Sequence, residues 1–456
     1  MPAYHRQHMI QDSRIQQLND APIGQNGRFV LYWMQASQRT RLNHALEYCI
    51  EKANELNLPP LVCFGLMDDY PEANERHYAF MLQGLEDVAK DLRRRGIGLV
   101  IRRGQPPEEA LKLAKQAAMV VCDRGYLRHQ KRWRDAVADR SAVVVVQVES
   151  DVVVPVEVAS DKAEWAARTL RPKIHRHLPD YLKPLKPLPV KHRAARLELR
   201  SDQISLDALT LDRSVPPVER FRGGQMQARK LLQSFVRSRL NRYAADRNEP
   251  SAEVTSFMSP YLHFGHISPI EIALAASDSP EFIEELIVRR ELSMNFVHFT
   301  PNYDSYDALP AWAKRTLNKH KSDKRPSVLT RAELESAKTH DRWWNAAQTE
   351  MVRTGFMHNY MRMYWGKKIL EWSRTPREAY ETTIYLNNRY FLDGRDPVSF
   401  ANVLWIYGLH DRPWTERPIF GQIRYMNAAG LERKFDMESY EQFSSRISRK
   451  SPRRNA

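Results

Sequence analysis

Tryptophan residues are concentrated in one stretch of the chain, at a spacing that suits electron transfer between rings. Six of the ten tryptophans lie between residues 343 and 414: Trp343, Trp344, Trp365, Trp372, Trp405 and Trp414. Because Trp365 and Trp372 are seven positions apart, a single helix would place them on one face, about 10.5 Å apart along its axis. A third tryptophan from a neighbouring helix would fit between them. The alternative is plain packing, since tryptophan and tyrosine often fill helical cores.

A second group of residues could pair an arginine with an acidic side chain. Asn359 and Arg362 precede the turn DGRD at residues 393–396. An arginine directed at a carboxylate forms a fixed, charge-assisted pair. Beside a bound ring that accepts electrons, such a pair would stabilise the negative charge on the ring. The alternative is an ordinary salt bridge at a helix end.

A run of hydroxyl-bearing residues is suited to holding a phosphate. Residues 255–259 read TSFMS and are followed by Pro260. Successive hydroxyl and backbone N–H groups at the start of a helix can bind phosphate. An ordinary N-terminal cap with a proline in the first turn gives the same pattern, so both interpretations stay open.

Metal and hydrolytic chemistry find little support. His263 and His266 have an i, i+3 spacing that could ligate a metal, but no third ligand and no HExxH motif accompanies them. We therefore expect structural histidines and no metal site. The sequence also has no GxSxG motif and no convincing hydrolytic triad.

The elements that would carry these residues are helices. From about residue 221 to 440 helical periodicity dominates, and residues 282–299 and 355–372 are predicted to form long helices. Gly223-Gly224 and Ser268-Pro269 each precede a further predicted helix. Residues 441–456 are predicted to form a short, loose basic tail.

The N-terminal part has a different pattern, in which short β-rich runs alternate with amphipathic helices. The runs are residues 28–33, 61–66, 97–102, 119–122 and 142–148. This alternation predicts a Rossmann-like parallel sheet with right-handed crossovers, and the nearly continuous apolar runs indicate a sheet covered on both faces. There is no GxGxxG or P-loop motif. A small planar ligand could still bind at the carboxyl edge of the sheet.

These patterns divide the chain of 456 residues into five predicted segments. Residues 1–27 form an N-terminal extension, residues 28–150 the α/β domain, and residues 151–220, rich in proline and lysine, a linker. An all-α domain follows at residues 221–440, and the tail occupies residues 441–456.

The overall composition indicates a partner with negative charge. The formal net charge is +15 and the isoelectric point is about 9.6, so nucleic acid is the first candidate, with a merely soluble basic protein as the alternative. Three cysteines without a CxxC pair argue against a zinc ribbon or a disulfide framework and favour a reduced, intracellular setting. The polar N-terminus does not resemble a signal peptide, and no run approaches the ~18 apolar residues of a membrane span.

Several stretches together resemble the photolyase/cryptochrome family, and within it the class II CPD photolyases. They are residues 28–39 (RFVLYWMQASQR), 255–268 (TSFMSPYLHFGHIS), 286–296 (LIVRRELSMNF), 354–372 (TGFMHNYMRMYWGKKILEW), 385–397 (YLNNRYFLDGRDP) and 408–427 (GLHDRPWTERPIFGQIRYMN). They follow the family order from about residue 28 to 440. The resemblance implies an α/β antenna domain followed by an all-helical FAD-binding domain.

The resemblance also implies a cofactor site. The residues expected to bind FAD are Tyr243, Thr255, Ser256, Phe257, Met258, Ser259, Arg290, Asn359, Arg362, Asn387, Asp393 and Asp396. Among them, Arg362 and Asp393 correspond to the family's salt bridge beside the flavin. Asn387 corresponds to the asparagine that faces flavin N5.

The residues expected to take part in catalysis are implied in the same way. Trp365, Trp344 and Trp372 correspond to the proximal, middle and distal members of the class II electron-transfer chain from the surface. Glu291 and Asn387 complete the expected catalytic set. Glu291 also belongs, with Met363 and Trp405, to the expected dimer contacts. The alternative for Glu291 is a surface pair with Arg289 or Arg290.

The function implied by the resemblance is light-dependent repair of DNA by a carbon–carbon lyase. Excited, reduced FAD would donate an electron to a cyclobutane pyrimidine dimer, and a deazaflavin-type antenna chromophore would accompany the FAD. We expect a monomer without a membrane partner, located in the cytoplasm and associated with nucleoid DNA. A cryptochrome-type photoreceptor and a light-independent nucleic-acid-binding protein are the alternatives. The long C-terminal extension usual in cryptochromes is not seen, and the class II motifs disfavour a (6-4) photolyase.

Overall fold

The structure, a computed structural model, describes residues 10–194, 197 and 199–450. Residues 1–9 of the predicted extension and residues 451–456 of the predicted tail lie outside the described residues. An α/β part at the N-terminal end is followed by a helical part. The fold class predicted from the sequence is therefore confirmed.

A six-stranded sheet forms the centre of the α/β part, in the order β1-β6-β5-β2-β3-β4. Its strands are β1 Ile15–Gln17, β2 Phe29–Trp33, β3 Pro60–Leu66, β4 Gly98–Arg103, β5 Ala117–Asp123 and β6 Val145–Val148. Leu31 of β2 pairs with Leu61 of β3 and with Val120 of β5, all in parallel. The strand order reverses between β2 and β5, so their carboxyl ends border a switch point of the kind where open α/β sheets bind ligands.

Strand β1 was not anticipated from the sequence. It lies within the predicted extension and pairs antiparallel with β6, with Ile15 opposite Val148. Its three residues, IQQ, are mostly exposed. A short polar edge strand carries no apolar alternation, which is why the sequence pattern did not reveal it.

Four helices cover the two faces of the sheet. They are α1 His44–Glu55, α2 Glu75–Arg95, α3 Pro106–Ala114 and α4 Arg128–Arg140. Val30 of β2 packs in one cluster with Ile50 of α1, whereas its neighbour Leu31 packs in another with Ala110 of α3 and Val137 of α4. Successive strand residues point to opposite faces, and both faces are buried, so the strands read as continuous apolar runs.

In its described residues, the segment predicted to be a linker contains the α-helices α5 Val156–Ala159 and α6 Ala167–Tyr181 and a 3-10 turn, Leu206–Ala208. Leu170 and Ile174 of α6 are buried in a cluster with residues of the helical part, such as Ile287. The segment therefore packs against the helical part in addition to connecting the two.

The helical part begins after Gly224. Its helices are α7 Gln225–Ser238, α8 Leu240–Asp246, α9 Ser259–His263, α10 Pro269–Ala275, α11 Pro280–Ile283, α12 Arg290–Phe299, α13 Ala311–Lys319, α14 Arg331–Glu335, α15 Arg342–Thr354, α16 Asn359–Trp372, α17 Pro376–Tyr390, α18 Pro397–Ile406, α19 Ala428–Glu432 and α20 Met437–Lys450. A π-helical turn, Glu284–Arg289, joins α11 to α12. Residues 282–299 therefore form one continuous helical segment, as predicted.

Two predicted boundaries are wrong. The helix expected from residue 355 begins at Asn359, because Gly355 adopts φ 70° and ends α15 instead. The tail expected to be loose is helical as far as Lys450. Tyr440 of α20 is buried and donates to Glu350 over 2.7 Å, so packing on α15 orders this helix.

Within the described part of the chain, no helix has the length and apolar character needed to cross a membrane.

Candidate functional site

Three buried tryptophans lie in sequence through the helical part. Trp344 of α15 is between the two tryptophans of α16: its indole N–H donates to the carbonyl of Trp365 over 3.0 Å. Its ring centroid is 5.6 Å from that of Trp372. The indole N–H of Trp365 donates to Gln348 Oε1 over 2.8 Å. Trp344 thus contacts both tryptophans of α16, and the role of the three residues in electron transfer stays a prediction.

The outer end of this chain differs from the expectation. Trp372 was expected to lead to the surface, but its exposed fraction is 0%. The ring of His340, an exposed residue, lies 5.0 Å from the Trp372 ring. The Lys368 ammonium lies 5.4 Å from the same ring. His340 and Lys368 therefore lie between the Trp372 ring and the solvent.

The predicted pair of Arg362 and Asp393 is present. Arg362 Nη2 lies 3.1 Å and 3.0 Å from the two carboxylate oxygens of Asp393, and its Nε donates to the carbonyl of Met357 over 3.1 Å. The guanidinium lies 3.9 Å from the centroid of the Phe391 ring, which is 6.4 Å from the Trp365 ring. Phe391 thus connects the ion pair to the inner end of the tryptophan chain.

The TSFMS loop has an anion-binding backbone conformation. Phe257 is in the left-handed region, with φ 59°, and Met258 follows in the right-handed helical region. Alternating left- and right-handed residues turn successive N–H groups to one side and create a concavity that binds anions. In the described part of the chain, the N–H groups of Phe257 and Ser259 donate to no protein acceptor. Arg239 Nη1 holds the loop through the carbonyl of Thr255, over 3.0 Å.

The other residues expected at the cofactor have varied surroundings. Tyr243 is buried, with its ring edge-on to Phe282 at 5.2 Å. Asn387 is buried and donates to Asn388 Oδ1 over 2.9 Å. Asn359 is exposed at the first residue of α16. Ser256 accepts the N–H of Met258 through its Oγ, over 3.4 Å.

Glu291 is a buried residue of α12. It is only 2% exposed, so the interpretation as a surface glutamate paired with Arg289 or Arg290 is wrong. Its carboxylate accepts the backbone N–H of Val153 at 2.5 Å and of Val154 at 3.3 Å. Burial raises its pKa to about 7 in spite of these bonds. The side chain therefore joins α12 to the segment after β6. Each carboxylate oxygen keeps a further lone pair, so the expected contact with a dimer stays a prediction.

Met363 and Trp405, the residues expected to contact the dimer, are both half-buried, on α16 and α18. The Arg289 guanidinium lies 5.3 Å from the Trp405 ring centroid, and the His410 ring is edge-on to Trp405 at 6.0 Å. Trp405 is thus bordered by a cation and an imidazole.

A cleft of about 1060 Å³, including its mouth, separates the carboxyl edge of the sheet from the helical part. Residues that follow strands form one wall, and residues of the helical part form the other. They include Met34, Gln35, Gln38, Met67, Tyr126, Leu127, Asp151, Leu262, His263, Phe264, Arg290, Met294, Arg395 and Asp396. The cleft lies at the switch point of the sheet, the position at which the sequence pattern allowed a small planar ligand.

Two glutamines, Gln35 and Gln38, are among the polar residues that line this cleft. Both amide atoms of Gln35 and the Oε1 of Gln38 are buried and lack a hydrogen-bond partner among the described residues. Asp123 at the end of β5 fixes their loop, because its Oδ2 accepts the N–H groups of Gln35, Ala36 and Ser37 over 2.8–3.0 Å. Gln35 and Gln38 belong to the stretch 28–39 that carries the family resemblance, but no role in a site was predicted for either residue. Their position directly after β2, at the carboxyl edge of the sheet, was the available signal.

Two residues expected at the FAD site line this cleft. Asp396 accepts from His263 Nδ1 over 3.0 Å and caps α18 through the N–H of Val398. Arg290 donates to the carbonyl of Asp151 over 2.6 Å.

The two histidines of the HFGH motif have structural partners. His263 pairs with Asp396, and His266 Nδ1 accepts the N–H of Gly224 over 3.0 Å. Burial lowers the pKa of His266 to about 3, so the ring stays neutral. No group of three or more metal-ligating side chains occurs among the described residues.

Comparison with known proteins gives consistent results. The DNA photolyase family model matches residues 30–191. The chain is 52% identical to the deoxyribodipyrimidine photo-lyase of Methanothermobacter thermautotrophicus, over 95% of this chain and 98% of that protein. It is 40% identical to the enzyme of the same name from Potorous tridactylus, over 92% and 82% of the two chains. The corresponding protein of Arabidopsis thaliana is 39% identical over 94% and 92%.

Two solved structures share the fold. One is a bacterial class III photolyase from Agrobacterium tumefaciens, with a TM-score of 0.70 at 19% identity, covering 94% of this chain and 91% of that one. The other is an archaeal photolyase from Sulfolobus tokodaii with two FAD molecules, with a TM-score of 0.70 at 14% identity and 92% coverage of both chains.

Proposed function

Because the chain belongs to the deoxyribodipyrimidine photo-lyase family, we propose that it binds FAD and splits cyclobutane pyrimidine dimers in DNA under light, as a class II enzyme. The observation that carries the proposal is the continuity of the site. The Arg362–Asp393 pair packs on Phe391, which adjoins Trp365 at the inner end of the tryptophan chain. A charge pair and an electron-transfer chain meeting at one point suit a redox cofactor.

The residues present fit FAD. The TSFMS loop has an anion-binding turn whose Phe257 and Ser259 N–H groups donate to no acceptor among the described residues, which suits the diphosphate. Arg362, held by Asp393, would stabilise negative charge on the isoalloxazine, and Asn387 would hydrogen-bond near its N5 atom. Tyr243 and Asn359 complete the proposed site.

When bound and reduced, FAD supplies the excited-state electron that opens the cyclobutane ring, and it takes the electron back afterwards. The chain's own residues position the reactants and adjust the electrostatics. The contacts of Arg362 with Asp393 and Met357 fix its guanidinium. In the tryptophan chain, Trp344 would relay electrons between Trp372 and Trp365 when the flavin needs reduction.

The dimer pocket is proposed at Met363 and Trp405. A dimer flipped out of the duplex costs a few kcal/mol of unstacking, and a half-exposed indole provides a surface on which its rings can rest. Glu291 takes a positioning role in this proposal. Its bonds to Val153 and Val154 fix α12 beside the pocket. The DNA strand around the lesion would be attracted by a net charge of +15.

The cleft beside the sheet is the proposed antenna site. Both amide atoms of Gln35 and the Oε1 of Gln38 lack a hydrogen-bond partner among the residues that the structure describes, and an imide edge such as that of a deazaflavin has groups that match them. Aromatic and apolar residues, among them Tyr126, Phe264 and Met294, provide walls for a planar ring system. Arg290 and Asp396 would then serve this second chromophore.

The proposed enzyme acts as a monomer on DNA inside the cell. Its test is illumination of the reduced, FAD-loaded protein with an oligonucleotide that contains one thymine dimer, followed by absorbance at the thymine band. Recovery of absorbance in light, and none in darkness, is the expected result. Binding of the dimer without recovery in light would overturn the proposal.

A further inference from the structure

An exposed tryptophan stands next to the proposed dimer pocket. Trp165, just before α6, is 50% exposed. The guanidinium of Arg168, on the first turn of α6, lies 4.1 Å from the centroid of the Trp165 ring. An exposed indole is costly in water, and a guanidinium stacked on one ring face leaves the opposite face open. The pair thus presents a flat, cation-backed aromatic surface to solvent.

Two separate connections place this surface beside Trp405. In the first, His410 Nδ1 donates to the carbonyl of Trp165 over 2.8 Å, while the His410 ring is edge-on to Trp405 at 6.0 Å. Burial lowers the pKa of His410 to about 4, so the imidazole is neutral. His410 itself has φ 58°, a conformation uncommon outside glycine. The backbone of Trp165 is therefore fixed relative to the pocket tryptophan.

The second connection runs along the charged residues. Arg171, three positions after Arg168 on α6, pairs with Glu284 at 2.9 Å. Glu284 also pairs with Arg289 at 3.1 Å, and Arg289 lies over the Trp405 ring. Residues i and i+3 of a helix share a face, so Arg168 and Arg171 point the same way. Three arginines against one glutamate give this surface a positive character, which suits a nucleic-acid strand.

We propose that Trp165 and Arg168 form a stacking platform for an unpaired nucleobase of the damaged duplex, next to the lesion pocket at Trp405. The inference rests on the proposed function, because flipping a dimer leaves the opposing bases without partners. An unpaired base has two apolar faces to cover, and stacking on an aromatic side chain does so whatever the base. The platform would stabilise the opened duplex and so favour damaged over intact DNA.

The test compares four proteins: wild type, Trp165→Ala, Trp165→Phe and Met226→Ala. Met226 is a 61% exposed apolar residue on α7 and serves as a surface control. Affinities are measured by fluorescence anisotropy for a duplex with one thymine dimer and for the intact duplex. Trp165→Ala should weaken binding of the damaged duplex roughly tenfold or more. Intact DNA should be bound with little change, Trp165→Phe should recover most of the loss, and Met226→Ala should match wild type.

A second readout reports the stacking itself. With 2-aminopurine opposite the dimer, stacking on Trp165 should quench the base in the wild-type complex, and the Trp165→Ala complex should be brighter at saturation. Equal brightness together with unchanged affinities would overturn the inference while leaving repair in place. A wild type that neither prefers nor repairs the damaged duplex would instead overturn the proposed function. If Trp165→Ala fails to fold, the test uses Trp165→Phe and Arg168→Ala, because both variants keep an aromatic ring at position 165. Arg168→Ala should weaken binding of damaged DNA several-fold. Unchanged binding would overturn the inference.

Discussion

The burial of Glu291 makes the stability of this protein depend on pH in a way that one substitution can isolate. Its carboxylate is 2% exposed and accepts two backbone N–H groups. In Glu291→Ala both donors lose their acceptor, and each unsatisfied buried donor costs about 1–3 kcal/mol. Glu291→Gln has nearly the same shape, keeps one acceptor oxygen, and cannot ionise.

The sign of the pH dependence follows from the direction of the shift. Burial raises the pKa of Glu291 to about 7, above its usual value near 4.3 in an unfolded chain. Between these values the folded state holds a proton that the unfolded state has released, so the stabilising contribution is present at low pH and is lost as pH rises through 7. From pH 5.5 to pH 8, Glu291 should reduce the free energy of unfolding by about 2 kcal/mol, a contribution absent from Glu291→Gln.

The measurement is urea unfolding of both proteins at the two pH values, followed by circular dichroism. Effects of every other titrating group cancel in the difference between wild type and Glu291→Gln. That difference should shift by about 2 kcal/mol in favour of the variant at the higher pH. A difference that does not change with pH would show that Glu291 ionises as an ordinary exposed carboxylate, and the reasoning from its burial would fail.

Three further predictions concern other parts of the molecule. Trp344→Phe should stop light-driven reduction of bound flavin, followed at 450 nm, because Trp344 lies between the other two tryptophans. The control is Trp343→Phe, which should be reduced normally, since the Trp343 indole donates to a surface glutamate instead. Equal reduction rates in the two variants would contradict the tryptophan chain. Replacing Gln35 and Gln38 by leucine should lower the affinity for a deazaflavin at least tenfold in a fluorescence titration and leave the FAD content unchanged; undiminished affinity would remove the cleft from the antenna site. Burial lowers the pKa of Lys367 to about 7, so above pH 7 the unfolded state holds a proton that the folded state has released. The melting temperature of wild type should therefore rise relative to that of Lys367→Met between pH 7 and pH 9.5. Melting temperatures that change in parallel would argue against a neutral buried lysine.

Much of the fold was predictable because the signals were local and periodic. Apolar runs such as residues 61–66 alternate with amphipathic helices, and this alternation leaves a covered parallel sheet as the natural solution. The seven-residue spacing of Trp365 and Trp372 likewise predicted a shared helix face, which the structure shows with Trp344 inserted. The helix start at Asn359 was not predicted, because Gly355 adopts a left-handed conformation that ends α15. A pattern of apolar residues does not reveal this backbone conformation.

What could not be predicted depends on contacts between distant segments. The partners of Glu291 are backbone N–H groups more than a hundred residues away, and backbone groups leave no mark in the sequence. The burial of Trp372 depends on His340 and Lys368, of which only Lys368 is near it in the chain. Helix α20 is ordered by its packing on α15, a contact that the sequence does not show. Its basic composition alone therefore suggested a loose tail.

The central claim is light-driven cleavage of cyclobutane dimers, and chromatography of illuminated DNA tests it most directly. Reduced, FAD-loaded protein is mixed with oligonucleotides that carry either a thymine cyclobutane dimer or a (6-4) photoproduct, and products are separated after blue or near-UV light. The cyclobutane substrate should return to intact thymines in light only, while the (6-4) substrate stays unchanged. Conversion of the (6-4) lesion instead, or no conversion of either lesion despite bound reduced FAD, would contradict the account.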